Sequence, residues 1–376
     1  MIGGAEWYVY NISRELVKAG NDVTVFTADH YGKRNAAPVE VVEGIRIRRI
    51  PLKLDWSYRM KLWDGLSEAL EDEDFDIIHT YDYAQKHTLD ALRAGRKSGV
   101  GTALTIFDVH SSIPRIWYKR LPMSYLDVYF ARRTFPMASR ILIRAPDLMK
   151  DLPGIDRWES KVRVSPSGVR SESFLRYDGQ AFKGRYSIDG TPVVLYMGRL
   201  NPLKGPQHII EVAPRLLKEF PDIAFVFVGP DQSGYKATLE QRARELAVAA
   251  HVYFTGMIDR FEEKMQAYSA CDVFCLPTSY EGTSQAIFEA MTQGKPIVST
   301  KTGGIPYQIE DGREGYLNQF GDLNALAESL SRLLRGSAEA REMGAQARSR
   351  AMQFQYPNLV TDLQSVYKEI MQSVGN

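Results

Sequence analysis

The 376 residues exceed what a single hydrophobic core accommodates, about 250–300 residues, so two domains of about 150–200 residues are expected. Forty-seven Lys and Arg balance 46 Asp and Glu for a net charge of +1, which argues against a dedicated nucleic-acid binder. The 44% hydrophobic and 25% charged composition excludes disorder over any large part of the chain, and two cysteines exclude a disulfide scaffold and suit a reducing compartment.

Along the chain, short β-rich runs alternate with longer helical patterns. A helix over 6–19 is closed by Gly20, with Lys18 in its last turn. Strands are expected over 23–27, 77–79, 102–107, 141–143 and 162–164. The acidic stretch 71–76 lies between a helix end and a strand and reads as a solvated turn rather than a metal site. A helix over 85–97 follows the second strand. A polar, glycine-bearing stretch near 166–190 marks the domain boundary.

Beyond it come strands over 193–197, 224–228, 252–255, 273–276 and 297–300, with helices over 206–219, 238–249 and 284–292. Pro206 suits a first helical position, and Pro214 predicts a kink in the same helix. Cys271 and Cys275 read as small core residues. Most of the strands are apolar throughout, as strands buried on both faces of a parallel sheet are. Strand–helix repetition at roughly 25–30 residues means βαβ units and a doubly wound α/β fold in each half. Such sheets bind ligands at the carboxyl ends of their strands, and a cleft between two of them is the expected site.

No run approaches the 18 apolar residues of a membrane span, and the first six residues have neither the basic nor the apolar region of a signal peptide. The expected location is the cytoplasm, with attachment to the inner face of the membrane left open. The segment from Ile113 to Arg140 keeps that question alive. It carries Arg115, Lys119, Arg120, Arg132, Arg133 and Arg140 among Trp117, Tyr118, Tyr125, Tyr129, Phe130 and Phe135. Cations attract anionic headgroups and aromatic rings sit at the membrane boundary. An ordinary amphipathic helix with its rings packed inside explains the same residues.

Two constellations carry chemistry. In the first, Met197-Gly198-Arg199-Leu200-Asn201-Pro202-Leu203-Lys204-Gly205, two cations stand between a strand end and a helix start. Guanidinium, ammonium and free helical N–H groups together suit an anion such as a diphosphate; a solvated basic turn is the alternative. The P-loop pattern is absent, and so is the G-x-G-x-x-G of dinucleotide oxidoreductases. In the second, a buried strand runs through Glu281-Gly282-Thr283-Ser284-Gln285 into a helix bearing Glu289. A glutamate before the helix can accept from a polyol, the amides can receive phosphate oxygens, and the later glutamate can accept from vicinal hydroxyls. A capped helix with solvated carboxylates is the alternative. No Cys/His cluster has zinc spacing, so no metal site is expected.

These residues resemble the retaining glycosyltransferases of family 4, with the two-domain GT-B architecture. The resemblance spans nearly the whole chain. It rests on Gly3-Gly4-Ala5-Glu6, Asp76-Ile77-Ile78-His79, Ser167-Gly168-Val169, Gly198-Arg199-Leu200 with Lys204-Gly205, Phe227-Val228-Gly229, Phe254-Thr255-Gly256, the pair Glu281 and Glu289 eight positions apart, Gly294-Lys295-Pro296 and Gly303-Gly304-Ile305-Pro306. It implies an acceptor-side domain over 1–168, a donor-binding domain over 169–355 and a C-terminal helix over 356–376 packing back toward the first domain. It further implies a metal-independent hexosyltransferase, without a cofactor, whose donor substrate is a nucleotide-diphospho-sugar and whose acceptor is a glycan, a lipid-linked group or a small molecule.

Carried onto this chain, Arg199 and Lys204 would hold the donor diphosphate and Glu281 the donor sugar's hydroxyls. Gly282, Thr283, Ser284 and Gln285 would line sugar and phosphate with backbone N–H groups, and Glu289 would bind the ribose. The turn after Gly229 and the chain near Met257 would flank the base, Gly198 would belong to the substrate-binding residues, and Gly3 and Gly4 would let the first loop approach the donor phosphates and the acceptor.

The departures are specific. Ser167 stands where the family usually has Asn, and Thr283-Ser284 where it usually has Phe-Gly. Phe107 occupies the slot of a histidine in the catalytic region. His110 is the substitute three residues on, or else a polar loop residue. This leaves open a non-catalytic nucleotide-sugar-binding partner subunit, or a nucleotide-sugar epimerase or phosphorylase-like enzyme on the same fold. Members begin with a buried strand leading into the Gly-Gly loop. Here the first helix follows at once, so that strand is expected to be missing, through a late start codon or truncation.

Overall fold

The computed structural model describes residues 4–29, 37–55, 59–107, 117–188, 192–336 and 338–374. In chain order the first stretch holds α1 (Gly4–Lys18), β1 (Thr24–Asp29), β2 (Val39–Val42), β3 (Ile45–Asp55), β4 (Lys61–Trp63), α2 (Leu66–Glu71), β5 (Ile77–Tyr81), α3 (Lys86–Ser98), β6 (Gly101–Ile106), α4 (Trp117–Met137), β7 (Arg140–Ile143) and β8 (Val162–Val164). The second holds α5 (Gly179–Arg185), β9 (Val193–Met197), α6 (Pro206–Leu217), β10 (Ala224–Val228), α7 (Tyr235–Glu245), β11 (Val252–Gly256), α8 (Phe261–Ala270), β12 (Val273–Leu276), α9 (Gln285–Thr292), β13 (Ile297–Thr300), α10 (Ile305–Gln308), β14 (Gly315–Asn318), α11 (Leu323–Leu334) and α12 (Ala338–Ala351). Helix α13 (Tyr356–Val374) ends the chain. Two compact units result, one of residues 1–167 with 356–376 and one of residues 168–355.

In the second unit the expected doubly wound sheet is present. Six parallel strands run in the order β11-β10-β9-β12-β13-β14. Every residue of β9, β10, β12 and β13 is buried, which is why these runs are apolar on both faces. The chain leaves β9 toward β10 and β11, then returns to lay β12 on the other side of β9. Strand order therefore reverses between β9 and β12, the place where such sheets open a crevice at their carboxyl ends. Cys271 and Cys275 are free and buried in this core, and burial raises both thiol pKa values, Cys271 to about 12.

The first unit departs from a single sheet. Among the described residues, β5-β6-β7-β8 form one parallel sheet and β1-β3-β2 another, with β4 also on β3. β1 runs parallel to β3, while β2 and β4 pair antiparallel to it. The expectation missed β2, β3 and β4. In β3 the arginines Arg46, Arg48 and Arg49 interrupt the apolar pattern, so the strand shows no continuous hydrophobic run. Glu43 and Gly44, both at positive φ, make the tight β2–β3 turn. Helices α1 and α13 pack together through Tyr8, Ile12, Leu16, Tyr356, Leu359, Val360 and Leu363.

Boundaries shift where caps decide them. The helix expected over 238–249 starts earlier, at Tyr235, because Gly234 in the left-handed region caps it. Helix α6 continues past Pro214 to Leu217. The acidic stretch 71–76 runs from Glu71, the last residue of α2, through a surface turn, with Glu73 meeting Arg48 and Glu71 meeting Lys97 at 2.6 Å. No helix of the described residues is long and apolar enough to cross a membrane.

Candidate active site

The site of the second unit is built from the loops after β9 and β12, the two strands at the reversal. β9 ends at Met197, and the Gly198 amide donates to Val228 O at 2.9 Å. Gly229, at φ 145°, lies so close that a Cβ there would sit 2.0 Å from Gly198 O. The turn after β9 is held from within. The buried Tyr196 hydroxyl donates to Arg199 O at 2.8 Å, and burial, with the Glu281 charge, raises that phenol well above its ordinary pKa. Asn201 Oδ1 accepts from the Lys204 amide at 3.1 Å and caps the single 3₁₀ turn of Pro202–Lys204.

The two loops are locked to each other. Leu203 O accepts from the Ser279 amide at 2.8 Å, from Ser279 Oγ at 3.0 Å and from Thr278 Oγ1 at 3.1 Å. Gly205, at φ 74°, leaves room for Pro277 O where a Cβ would stand 1.9 Å from it. Behind the second loop, the Gly304 amide donates to Glu281 O at 3.1 Å, and a Cβ on Gly304 would lie 1.8 Å from Gly282 O. Backbone packed this closely admits only glycine.

This scaffold brings Lys204 Nζ within 2.5 Å of Glu281 Oε2, an ion pair with 18% and 16% of its side chains exposed. Arg199 is exposed beside it, and its guanidinium has no hydrogen-bond or ion-pair partner among the described residues. The Gly282 amide likewise has none. One carboxylate, two cations and a free amide thus converge at the carboxyl edge of the sheet, a set suited to an anion carrying hydroxyl-bearing groups.

Glu289 lies one to two turns into α9 and is 5% exposed. Its Oε1 accepts from Lys264 Nζ at 2.6 Å and its Oε2 from Tyr268 Oη at 3.0 Å. Burial, reinforced by the Glu289 charge, raises the Tyr268 phenol well above its ordinary pKa. Gln285 Nε2 approaches the same carboxylate at 3.4 Å. Gly256, at φ 76°, turns the chain into Met257, which is 45% exposed.

One expected role is corrected. The Ser284 amide is not offered to a ligand: it donates to Gln308 Oε1 at 2.6 Å, while Gln308 Nε2 returns a bond to Ser284 O at 2.9 Å. Ser284 Oγ caps α9 by accepting from Ile287 N at 3.4 Å. Ser284 therefore shapes the loop. Lys264, Tyr268 and Gln308 were missed. Lys264 and Tyr268 are four residues apart on one face of α8, a spacing that could have been read had a helix been assigned there.

In the first unit, Gly4 opens α1, while Gly3 and His110 lie outside the described residues. Phe107 stacks on Tyr81 with ring centroids 5.6 Å apart and meets Tyr8 edge-on at 5.4 Å. The buried Arg144 lies over Tyr8 at 3.9 Å, and its guanidinium donates to Ser165 O at 2.9 Å and Ser167 Oγ at 2.6 Å. Ser167 thus anchors a buried cation. His79 is saturated: Nδ1 meets Tyr367 Oη and Nε2 meets Thr105 Oγ1, both at 2.7 Å, and burial lowers its pKa to about 3.

Residues 2–173 match the model described as Glycosyltransferase Family 4, and residues 180–350 match Glycosyl transferases group 1. The chain belongs to glycosyltransferase family 4. It is a hexosyltransferase with the GT-B fold. A relative from Corynebacterium urealyticum named D-inositol 3-phosphate glycosyltransferase is 24% identical, covering 98% of this chain and 91% of its own. Another, from Mycolicibacterium smegmatis, is named GDP-mannose-dependent alpha-(1-6)-phosphatidylinositol monomannoside mannosyltransferase. It is 33% identical over 50% of each chain. The solved structure of Anabaena HepE in complex with UDP superposes with a TM-score of 0.77 at 18% identity, covering 98% of this chain and 97% of that one.

Proposed function

We propose that the transferase is retaining and metal-independent, takes a nucleotide-diphospho-sugar as donor, and holds it at the loops after β9 and β12. The carrying observation is the Lys204–Glu281 pair, set beside Arg199 and the Gly282 amide, which have no partner among the described residues, at the point where strand order reverses. The HepE complexes with UDP and UDP-glucose, and the GDP-mannose in the name of the mycobacterial relative, favour a nucleotide-sugar donor and leave its base open.

The chemistry follows from charge. Transfer breaks the bond between the anomeric carbon and the diphosphate oxygen, leaving a sugar of cationic character and an anionic diphosphate. Arg199 and Lys204 stabilise the departing charge without moving far, because the turn that carries them is already locked. Glu281 orients Lys204 and accepts from donor-sugar hydroxyls. Glu289, held by Lys264 and Tyr268, accepts from the ribose. The acceptor oxygen bonds to the anomeric carbon on the face the diphosphate leaves, and its proton passes to the departing phosphate oxygen, which retains configuration.

Replacing Lys204 or Glu281 by Ala is expected to lower kcat by about 10²–10³-fold, the scale of removing one preorganised electrostatic contact. Full transfer activity in both variants would overturn the site. Thermal-shift screening of UDP-, GDP- and ADP-sugars identifies the base, because a bound donor stabilises by mass action.

A peripheral membrane contact through α4 belongs to the same reading. Phe130 and Phe135 are core residues, whereas Tyr125, Tyr129, Arg132 and Arg133 form one exposed face, with the Arg133 guanidinium 3.7 Å from the Tyr129 ring. Co-sedimentation with anionic but not neutral liposomes, lost in R132E/R133E, is expected; equal behaviour with both liposomes would refute it.

A further inference from the structure

Arg132 and Arg157 line one cavity of about 290 Å³ in the first unit, and neither guanidinium has a hydrogen-bond or ion-pair partner among the described residues. Arg132 comes from α4, with Phe135 and Pro136 beside it. Arg157 comes from the 3₁₀ helix Ile155–Lys161, with Trp158 beside it and Pro153 just ahead. No Asp or Glu belongs to the lining; Asp156 and Glu159, the sequence neighbours of this pair, are exposed outside it. The walls are fixed to each other. Lys161 Nζ donates to Pro136 O at 3.1 Å and to Ala138 O at 2.8 Å, which ties the end of the 3₁₀ helix to the end of α4. Leu152 and Ile155 are buried in the same core as Phe130 and Phe135.

Charge complementarity selects an anion, because two cations share the cavity with no carboxylate to offset them. Guanidinium forks match the oxygens of a phosphate, and two forks can grip one phosphate together. The remaining walls are apolar, so the anion that gains most from them carries apolar groups of its own. Size restricts it further. The volume lies at the low end for small-molecule sites, about 300–1,000 Å³, which suits a headgroup and leaves long chains outside. Chains leaving the cavity have a place to go. Arg132 belongs also to the exposed face of α4 that carries Tyr125, Tyr129 and Arg133.

We propose that this cavity binds the headgroup of one anionic phospholipid, with Arg132 and Arg157 on the phosphate and Trp158 and Pro136 against the glycerol and first chain carbons. The proposal rests on the membrane contact of α4 and adds a defined site to it. A basic surface attracts any anionic membrane diffusely, whereas this cavity holds a single lipid per chain.

The test titrates the full chain with dihexanoyl-phosphatidylglycerol below its micelle concentration, followed by calorimetry. Saturable binding at one lipid per chain is expected. Arg132→Glu and Arg157→Glu should each weaken it by about tenfold or more, since each removes one fork from the phosphate. Arg133→Glu makes the same charge change on the next exposed residue, whose guanidinium is stacked on Tyr129, and should stay within about threefold. All three side chains are exposed, and melting curves check that the variants fold; Arg157→Gln, which removes the fork without inverting the charge, should weaken binding in the same direction. Inorganic phosphate and dihexanoyl-phosphatidylcholine should each bind about tenfold or more weakly than the anionic lipid. Non-saturable binding, or an Arg133→Glu effect as large as that of Arg157→Glu, would overturn the proposal. So would phosphate binding as tight as the lipid, which would mark a site for a free anion. Co-sedimentation with vesicles of phosphatidylglycerol in phosphatidylcholine separates the two membrane claims. Sedimentation without monomer binding overturns the cavity and keeps the α4 contact; monomer binding without sedimentation supports the cavity and overturns the contact.

Discussion

Gly205→Ala tests whether the locked loops make the site. Gly205 has φ 74° and ψ 19°, and a Cβ there would stand 1.9 Å from Pro277 O. Gly234 has nearly the same backbone, φ 75° and ψ 14°, with nothing within 4 Å of its Cβ position. Both substitutions incur the left-handed cost of an L residue, roughly 1–2 kcal/mol. Only Gly205→Ala adds a collision with backbone. To reach the 3.4 Å of ordinary contact, the turn after β9 and the loop after β12 must separate by roughly 1.5 Å. Overpacking of this kind adds about 1–3 kcal/mol. At roughly 2–4 °C per kcal/mol, Gly234→Ala should lower the melting temperature by a few degrees and Gly205→Ala by about twice that or more. The larger contrast is in activity. A misplacement of about 1 Å is enough to lower turnover about 100-fold, and this one lies between Lys204 and Glu281. Gly234→Ala should stay within about twofold of the parent, because a Cβ there meets nothing within 4 Å and displaces no backbone. Melting curves and kcat/KM for the two variants decide the matter. If Gly205→Ala proves as mild as Gly234→Ala in both, the close approach does not organise the site.

His79 makes stability acid-sensitive. Its folded pKa of about 3 lies below the ordinary 6.5, so between these values the unfolded chain binds a proton that the folded one does not, and stability falls as pH drops. At pH 5 the loss is about 2 kcal/mol relative to pH 7, and His79→Gln should remove that part of the slope in denaturant titrations at the two pH values; an unchanged slope refutes the assignment. Lys264→Met leaves Glu289 buried with Tyr268 as its main donor, and should cost about 1–3 kcal/mol of stability and weaken nucleotide binding by titration calorimetry. Unchanged affinity would separate Glu289 from the nucleotide. Arg144→Met removes the donor to Ser165 O and Ser167 Oγ in the aromatic cluster, and should destabilise by about 2–4 kcal/mol in chemical denaturation; a neutral result would mean that Ser167 needs no partner.

The sequence by itself determined which runs become central strands. β9, β10, β12 and β13 are buried on both faces, so apolarity alone marks them, and the glycines after them mark where backbones crowd. Arg199, Lys204, Glu281 and Glu289 were legible for the same reason, since each follows a recognisable strand end or helix start. The edge region of the first unit was not legible, because β3 faces solvent along much of its length and its arginines hide the pattern. Only the tertiary structure decided how the site residues pair. Lys204 and Glu281 are 77 residues apart and meet because β12 returns to lie beside β9, a neighbour relation that no local pattern encodes. Ser284 looked like an amide donor to ligand until Gln308, 24 residues on, folded back onto it. Lys264 entered the site only through the packing of α8 against α9. Local chemistry sets what each segment is, and long-range hydrogen bonds and close backbone contacts set which groups remain free to meet a substrate.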